Sequence, residues 1–323
     1  MIESILRRAG QSLVALLLMS CLAFVGINMV GDPIQLLVPP NATPAELAQA
    51  SKELGLDKPV HIQYLRFLRN AVHGELGTSF VANRPALQLI AERAPATFEL
   101  ALTALTISAV IGIPLGMLCG LRGDGPLRKV VLAGSIVGVT VPTFWMSLLL
   151  ILVFAVNLGW FPSGGRGDAV AIFGFATSLA TVDGIKHLVL PAVTLALFNT
   201  ALVIRLTEAG TREVMGQEFI RFARAKGVGG SRLLLRHVAP NVMIPVVTAL
   251  GLEFGQLIAF SVVTESIFAW PGMGKLIIDS ILQLDRPVVV AYLLVTLLIF
   301  VVINFAVDAL YLVLDPRLRT KAH

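Results

Sequence analysis

The chain has 323 residues, 56% of them hydrophobic and 14% charged, with a formal net charge of +5 and a mean hydropathy of +0.84. A soluble chain averages about 45–50% apolar and about 25% charged residues, so this composition excludes a disordered protein, a disulfide scaffold, a coiled coil and a solvated nucleic-acid binder. The apolar residues fall in blocks longer than a core helix needs, which makes lipid the solvent and predicts an all-α polytopic membrane protein.

Six stretches supply the about 20 mostly apolar residues that cross a hydrocarbon layer of about 30 Å: residues 12–30, 97–121, 130–157, 188–204, 241–264 and 288–314. The first follows Arg7 and Arg8, the opening of a secretory signal, and Leu18-Met19-Ser20-Cys21 resembles a lipoprotein cleavage site. Its apolar run continues without a break to Val30, so it is read as an uncleaved transmembrane helix. Cys21 and Cys119 both lie inside such runs and are read as small packing residues.

Segment 31–96 is too long for a turn. Thr43-Pro44-Ala45-Glu46 is a helix start, with apolar residues recurring at Leu47, Ala50 and Leu54. A second helical pattern runs through Val60, Tyr64, Phe67, Leu68 and Ala71 until Gly74 and Gly77 break it. The expectation is a small helical cap on the outer surface.

Glycines then recur at every fourth position: Gly112, Gly116 and Gly120, Gly134 and Gly138, Gly251 and Gly255. That spacing places small residues on one helix face, where another helix comes close. Packing within the chain and docking of a second membrane subunit fit it equally.

Segment 205–239 holds seven of the 25 basic residues and is too long for a connector. Met215, Phe219, Phe222 and Lys226 follow helical spacing, with Glu218, Arg221 and Arg224 or Ala225 beside that stripe. Gly227, Gly229 and Gly230 stop the helix, and Ser231 caps a new one leading to Pro240. A short amphipathic helix with aromatic residues on one face, bracketed by glycines, suits a protein groove better than a lipid surface.

Glu253 sits mid-span, where an acidic side chain costs about 2.5–3.5 kcal/mol, so it is expected to face protein or a water-filled path. Glu99, Glu265 and Asp308 lie nearer span ends and are expected to reach water. Trp270-Pro271-Gly272-Met273-Gly274-Lys275 is an incomplete phosphate-loop pattern, read as a turn with an interfacial Trp. No metal-ligand cluster or nucleophile–base pair stands out, and the five histidines are scattered.

Segments 1–10, 122–129, 205–239 and 315–323 hold fifteen of the 25 basic residues, at nearly three times the density of the other side. By the positive-inside rule these segments, and both termini, are cytoplasmic.

Ala223-Arg224-Ala225-Lys226-Gly227, with Pro240 thirteen residues beyond that glycine, resembles the cytoplasmic "EAA" loop of binding-protein-dependent ABC importer permeases, of the peptide/nickel (dipeptide/oligopeptide) subfamily. Further matches follow in the expected order: Leu54-Gly55-Leu56-Asp57-Lys58-Pro59, Gly74-Glu75-Leu76-Gly77-Thr78-Ser79, Val141-Pro142-Thr143-Phe144-Trp145 and Leu158-Gly159-Trp160-Phe161-Pro162. Glu265-Ser266-Ile267-Phe268-Ala269-Trp270-Pro271-Gly272 and Asp315-Pro316-Arg317 complete the series. The loop departs from the family pattern where Arg221 stands for the eponymous Glu and Phe222 for the first Ala.

The resemblance implies a type I ABC importer permease in a bacterial cytoplasmic (inner) membrane, not an enzyme and with no cofactor of its own. ATP and Mg would be bound by two partner ABC ATPase subunits. A homologous second permease and an extracytoplasmic substrate-binding protein complete the expected partners, with the lipid bilayer around them and no nucleic acid. The implied organisation is residues 1–96 as first transmembrane helix and outer segment, 97–314 as permease core with its coupling loop 205–239, and 315–323 as a cytoplasmic tail. ATPase coupling falls to Met215, Phe219, Arg221, Phe222, Ala223, Arg224, Ala225, Lys226 and Gly227. Glu253 is the candidate pathway-lining residue, and Gly112, Gly116, Gly120, Gly251 and Gly255 serve helix packing. The implied cargo is a di- or oligopeptide, with nickel or glutathione as alternatives. A proton-coupled secondary transporter is the rival class; it requires internal inverted repeats, which the sequence does not display.

Overall fold

The apolar stretches fold as helices, and most of the helices outrun the stretches that predicted them. The computed structural model describes residues 2–29, 43, 52, 58–172 and 174–314. The helix start expected at Thr43–Glu46, the motif at 54–57 and the tail 315–323 lie outside the described residues, apart from Thr43 itself.

Helix α1 (Ile2–Met29) is followed by α2 (Val60–Val72) and α3 (Ala86–Arg122). Then come α4 (Pro126–Thr140) and α5 (Thr143–Asn157), whose last seven residues are π-helical. A hairpin of β1 (Val170–Ile172) and β2 (Phe175–Thr177) precedes α6 (Val182–Gly216) and α7 (Glu218–Ala225). The chain ends in α8 (Gly230–Ile267, with a π-helical stretch at Leu234–Val238), α9 (Met273–Leu282) and α10 (Arg286–Leu314). The short antiparallel hairpin, with Val170 opposite Thr177, is a departure from an all-α chain.

Among the described residues four helices, α3, α6, α8 and α10, are long and apolar enough to cross a membrane, and α4 with α5 makes a fifth if counted as one span. The third apolar stretch is therefore not the single helix expected over 130–157. Pro142 supplies no N–H to continue α4, and proline disfavours helical backbone in the residue before it. Val141 is accordingly extended at φ −78°, ψ 125°, and the two halves meet at 105°. Elsewhere the helices overrun. α3 begins eleven residues before the expected 97, α6 continues twelve past 204, and α8 starts eleven before 241. Charged residues such as Arg205, Glu208, Arg212 and Glu213 are good helix formers, and apolarity marks only the part of a helix that meets lipid.

The described residues group into two units, drawn from Met1–Ala94 with Leu276–Val301 and from Pro95–Lys275 with Val302–His323. In the first unit α2 lies on α1: Phe24 packs against the rings of Tyr64 and Phe67 at 5.4 and 5.8 Å, and the Tyr64 hydroxyl donates to the Leu17 carbonyl at 3.2 Å. Ser79 donates to Asp285 in the same unit.

In the second unit α6 is the central helix, packed on α3, α4 and α8. A Cβ at Gly112 would stand 2.8 Å from Val203, one at Gly116 2.6 Å from the Ile204 carbonyl, and one at Gly120 2.6 Å from Thr211. The α3 glycines thus bring it against α6 of the same chain. Gly251 meets Val307, Gly138 faces the Leu197 carbonyl, Gly255 is buried, and Gly134 faces open space.

Candidate functional site: a surface helix with an exposed aromatic and basic face

Helix α7 is shorter than the Met215–Lys226 helix expected. α6 ends at Gly216, Gln217 is extended (φ −71°, ψ 149°), and its N–H donates to the Val214 carbonyl at 3.1 Å. Met215 therefore belongs to α6. It stays half-buried against the core beneath α7.

The other end of α7 is a Schellman motif. Gly227 N–H donates to the Arg224 carbonyl at 2.9 Å and Val228 N–H to the Ala223 carbonyl at 3.1 Å. The motif needs a left-handed residue between them, and Gly227 supplies it at φ +81°. Val228 then packs against the same core as Ala223. The glycine of the Ala-Arg-Ala-Lys-Gly sequence is a helix stop with a defined geometry.

Two side chains hold α7 down. Ile220 is 0% and Ala223 7% exposed, in a cluster with Val203, Leu233, Val238, Val242 and Val246. This anchoring face escaped the sequence reading, which followed the Phe stripe. Ile220 and Ala223 stand at i, i+3 between charged neighbours, and that spacing was the available signal.

What remains of α7 faces outward. Phe219 and Phe222 are 44% and 64% exposed, and Glu218, Arg221, Arg224, Ala225 and Lys226 are exposed with them. The Lys226 ammonium lies over the Phe222 ring at 4.5 Å, and Arg224 reaches the Met215 sulfur at 3.9 Å. The two rings and the basic groups form one surface on a helix that is fixed from below. Such a face supplies aromatic anchors and charged donors to a complementary groove.

Two of the carboxylates expected to reach water, Glu265 and Glu99, do not. Glu265 is 0% exposed: Thr97 and Ser261 hydroxyls donate to it at 2.7 and 2.9 Å, and Gly274 and Lys275 N–H groups at 2.7 and 3.1 Å. The first turn of α9, which resembled a phosphate loop, thus holds the chain's own carboxylate. A Cβ at Gly272 would collide with it. Trp270 is likewise buried rather than interfacial, its indole N–H donating to the Ala96 carbonyl at 2.9 Å.

Glu99 is also buried. One of its oxygens accepts from the Ser178 N–H and hydroxyl at 2.7 and 2.8 Å and from Thr177 at 3.0 Å; Arg166 pairs with the other. Arg166 stacks over Trp270 at 5.7 Å. Residues 166–178, hairpin included, are thereby tied to α3. The sequence offered no cue, because the partners are more than sixty residues apart.

Glu253, in the middle of Ala239–Ile267, is half-buried and has no hydrogen bond or ion pair with another described residue. The side chain of Asp308 lies outside those described. Among the described residues no group of His, Cys, Asp and Glu could hold a metal ion.

The family described as "Binding-protein-dependent transport system inner membrane component" matches residues 112–320, and its N-terminal companion, "Binding-prot-dependent transport system membrane comp, N-term", matches 1–101. The oligopeptide transport system permease protein AppB of Bacillus subtilis is 39% identical over 316 residues, covering 97% of this chain and 98% of AppB. The dipeptide transport system permease protein DppB of Escherichia coli K12 is 34% identical over 338 residues, covering 99% and 100%. In fold, the chain is similar to a chain of the inward-facing MetNI methionine ABC transporter, with a TM-score of 0.56 at 19% identity over 71% of this chain and 97% of that one.

Proposed function

The chain belongs to the family of binding-protein-dependent transport system inner membrane components, and from that premise we propose that it is a peptide importer's permease that receives the ATPase stroke on α7. Family membership makes it a multi-pass inner-membrane transport subunit working with ATPase and binding-protein partners. Peptide cargo is the reading supported by full-length similarity to permeases named for oligopeptides and dipeptides.

In this reading the chain crosses the membrane six times, by α1, α3, the bent α4–α5 pair, α6, α8 and α10, with both termini cytoplasmic. α1 has 28 residues and is about 42 Å long, enough to span. The basic residues put α7 on the cytoplasmic side.

The observation that carries the mechanism is α7 itself, fixed by Ile220, Ala223 and its Gly227 stop, yet exposing Phe219 and Phe222 beside Arg221 and Arg224. Phe219 and Phe222 enter a groove of an ATPase subunit, and Arg221, Arg224 and Lys226 fix the register. ATPase closure moves α7, and α6, a single helix of 35 residues, carries the motion toward the outer surface. Close contact of α6 with the α3 glycines makes the two helices move as one body. A homologous second permease completes the pathway, and Glu253, without a hydrogen-bond or ion-pair partner among the described residues, lines it.

Uptake and ATPase coupling in the assembled transporter test this. Arg224→Glu and Gly227→Pro are each expected to cut peptide uptake at least tenfold and to uncouple ATP hydrolysis from it. Wild-type uptake and coupling in both variants would refute the assignment of α7.

A further inference from the structure

The break between α4 and α5 leaves main-chain groups that no other described residue satisfies. Val141 N–H still donates to the Val137 carbonyl at 3.1 Å, closing the last bond of α4. Pro142 has no N–H, and the chain then turns away by 105°. No backbone or side-chain donor among the described residues reaches the carbonyls of Val139, Thr140 or Val141. The neighbouring hydroxyl protons are used elsewhere: Thr140 donates to the Ile136 carbonyl at 2.8 Å and Thr194 to the Leu190 carbonyl at 2.9 Å. Their oxygens keep lone pairs to offer.

These acceptors border a cavity of about 180 Å³ against α6, lined by Thr140, Val141, Thr143, Thr194, Met146 and Phe198 among others. It lies between two apolar helices of a broken span. Lipid has no donor for such carbonyls, and irregular backbone at membrane depth occurs only where protein or a polar cavity covers it. The carbonyl end of α4 also carries the negative end of a helix dipole. What fits is a ligand rich in N–H groups with an apolar flank to rest on Phe198 and Met146. A peptide is that ligand: each residue brings an amide N–H, and its amino terminus is a cation.

We propose that the α4–α5 break is a subsite on the transport path that takes the N–H donors of a passing peptide on the free carbonyls of Val139–Val141. The subsite rests on the peptide-importer reading above and specifies where in this chain the cargo is held.

The test uses the complete transporter in proteoliposomes, with both permeases, both ATPases, the binding protein and radiolabelled trialanine. Thr194→Leu fills the cavity and is expected to lower uptake at least tenfold in complexes that still co-purify with their ATPases. Uptake within twofold of wild type overturns the subsite. If that variant does not assemble, Thr143→Cys in a Cys21→Ser, Cys119→Ala background gives a second reading. A water-soluble, ammonium-bearing thiol reagent should label it, and trialanine-loaded binding protein with trapped ATPase should slow labelling at least fivefold. No labelling, as when the second permease or lipid seals the break, overturns the proposal, and so does labelling indifferent to peptide. Failure of the wild-type transporter to take up any peptide would instead refute the importer reading, and is distinguished because no variant is needed to see it.

Discussion

Two regions of the second unit treat their functional groups in opposite ways. Around Glu265 and Glu99 both carboxylates are buried and each is met by several donors, and Trp270 is sealed beside them. On α7 only Ile220 and Ala223 are buried, while the aromatic and basic groups stand in solvent. The first arrangement fixes distant segments in one geometry, because an unmet buried donor costs about 1–3 kcal/mol. The second leaves its groups for something else to satisfy.

That contrast predicts a ranking of stability, readable by thermal unfolding of the purified complex in detergent. Glu265→Ala should be the most damaging, losing more than about 3 kcal/mol, since three buried donors and one half-buried one lose their acceptor at once. A loss below about 1 kcal/mol would mean that water replaces the carboxylate and the region is no closed frame. Ile220→Ala should cost about 2–4 kcal/mol through the cavity it leaves under α7. It would detach the helix without touching its outer face.

Gly227→Ala should cost about 1–2 kcal/mol, because a Cβ is strained at φ +81° whatever the space around it. Nothing lies within 4 Å of the Cβ position there, so a larger loss would point to a partner at that spot. Phe222→Ala should change stability by less than about 0.5 kcal/mol, as for an exposed side chain. If Phe222→Ala destabilised the chain as much as Ile220→Ala, the distinction between a held face and an offered face would collapse.

Much of this was legible in the sequence, for identifiable reasons. Gly227 announced a helix stop because left-handed backbone strongly favours glycine, and the Schellman bonds then follow from local geometry alone. The basic clustering in 205–239 and the aromatic spacing at 219 and 222 pointed to an amphipathic helix, and the outer face of α7 does carry those groups exposed. The start of α7 was misplaced at Met215, because Gly216-Gln217 ends one helix and opens another without a strong capping residue. The single span over 130–157 was read past Pro142 because apolar composition continues through it. The backbone, which lacks the N–H, does not.

The fates of the carboxylates were not legible. Glu253, Glu265 and Glu99 look alike in the sequence, and position along a span was the only guide to their exposure. Glu265 is buried because α9 turns its first N–H groups back onto it, and Glu99 because residues 166–178 fold over α3. Glu253 meets no such segment among the described residues.

The excess of apolar residues, the scarcity of charge and the uneven placement of that charge determined the chain's solvent, its helical character and the charged, aromatic face of α7. Those are properties of composition and of spacing within one turn or one span. Which helices touch, where the third span breaks open and which carboxylates are sealed were decided only by tertiary structure. Each of these depends on groups tens of residues apart coming within hydrogen-bond reach, and no local period encodes that.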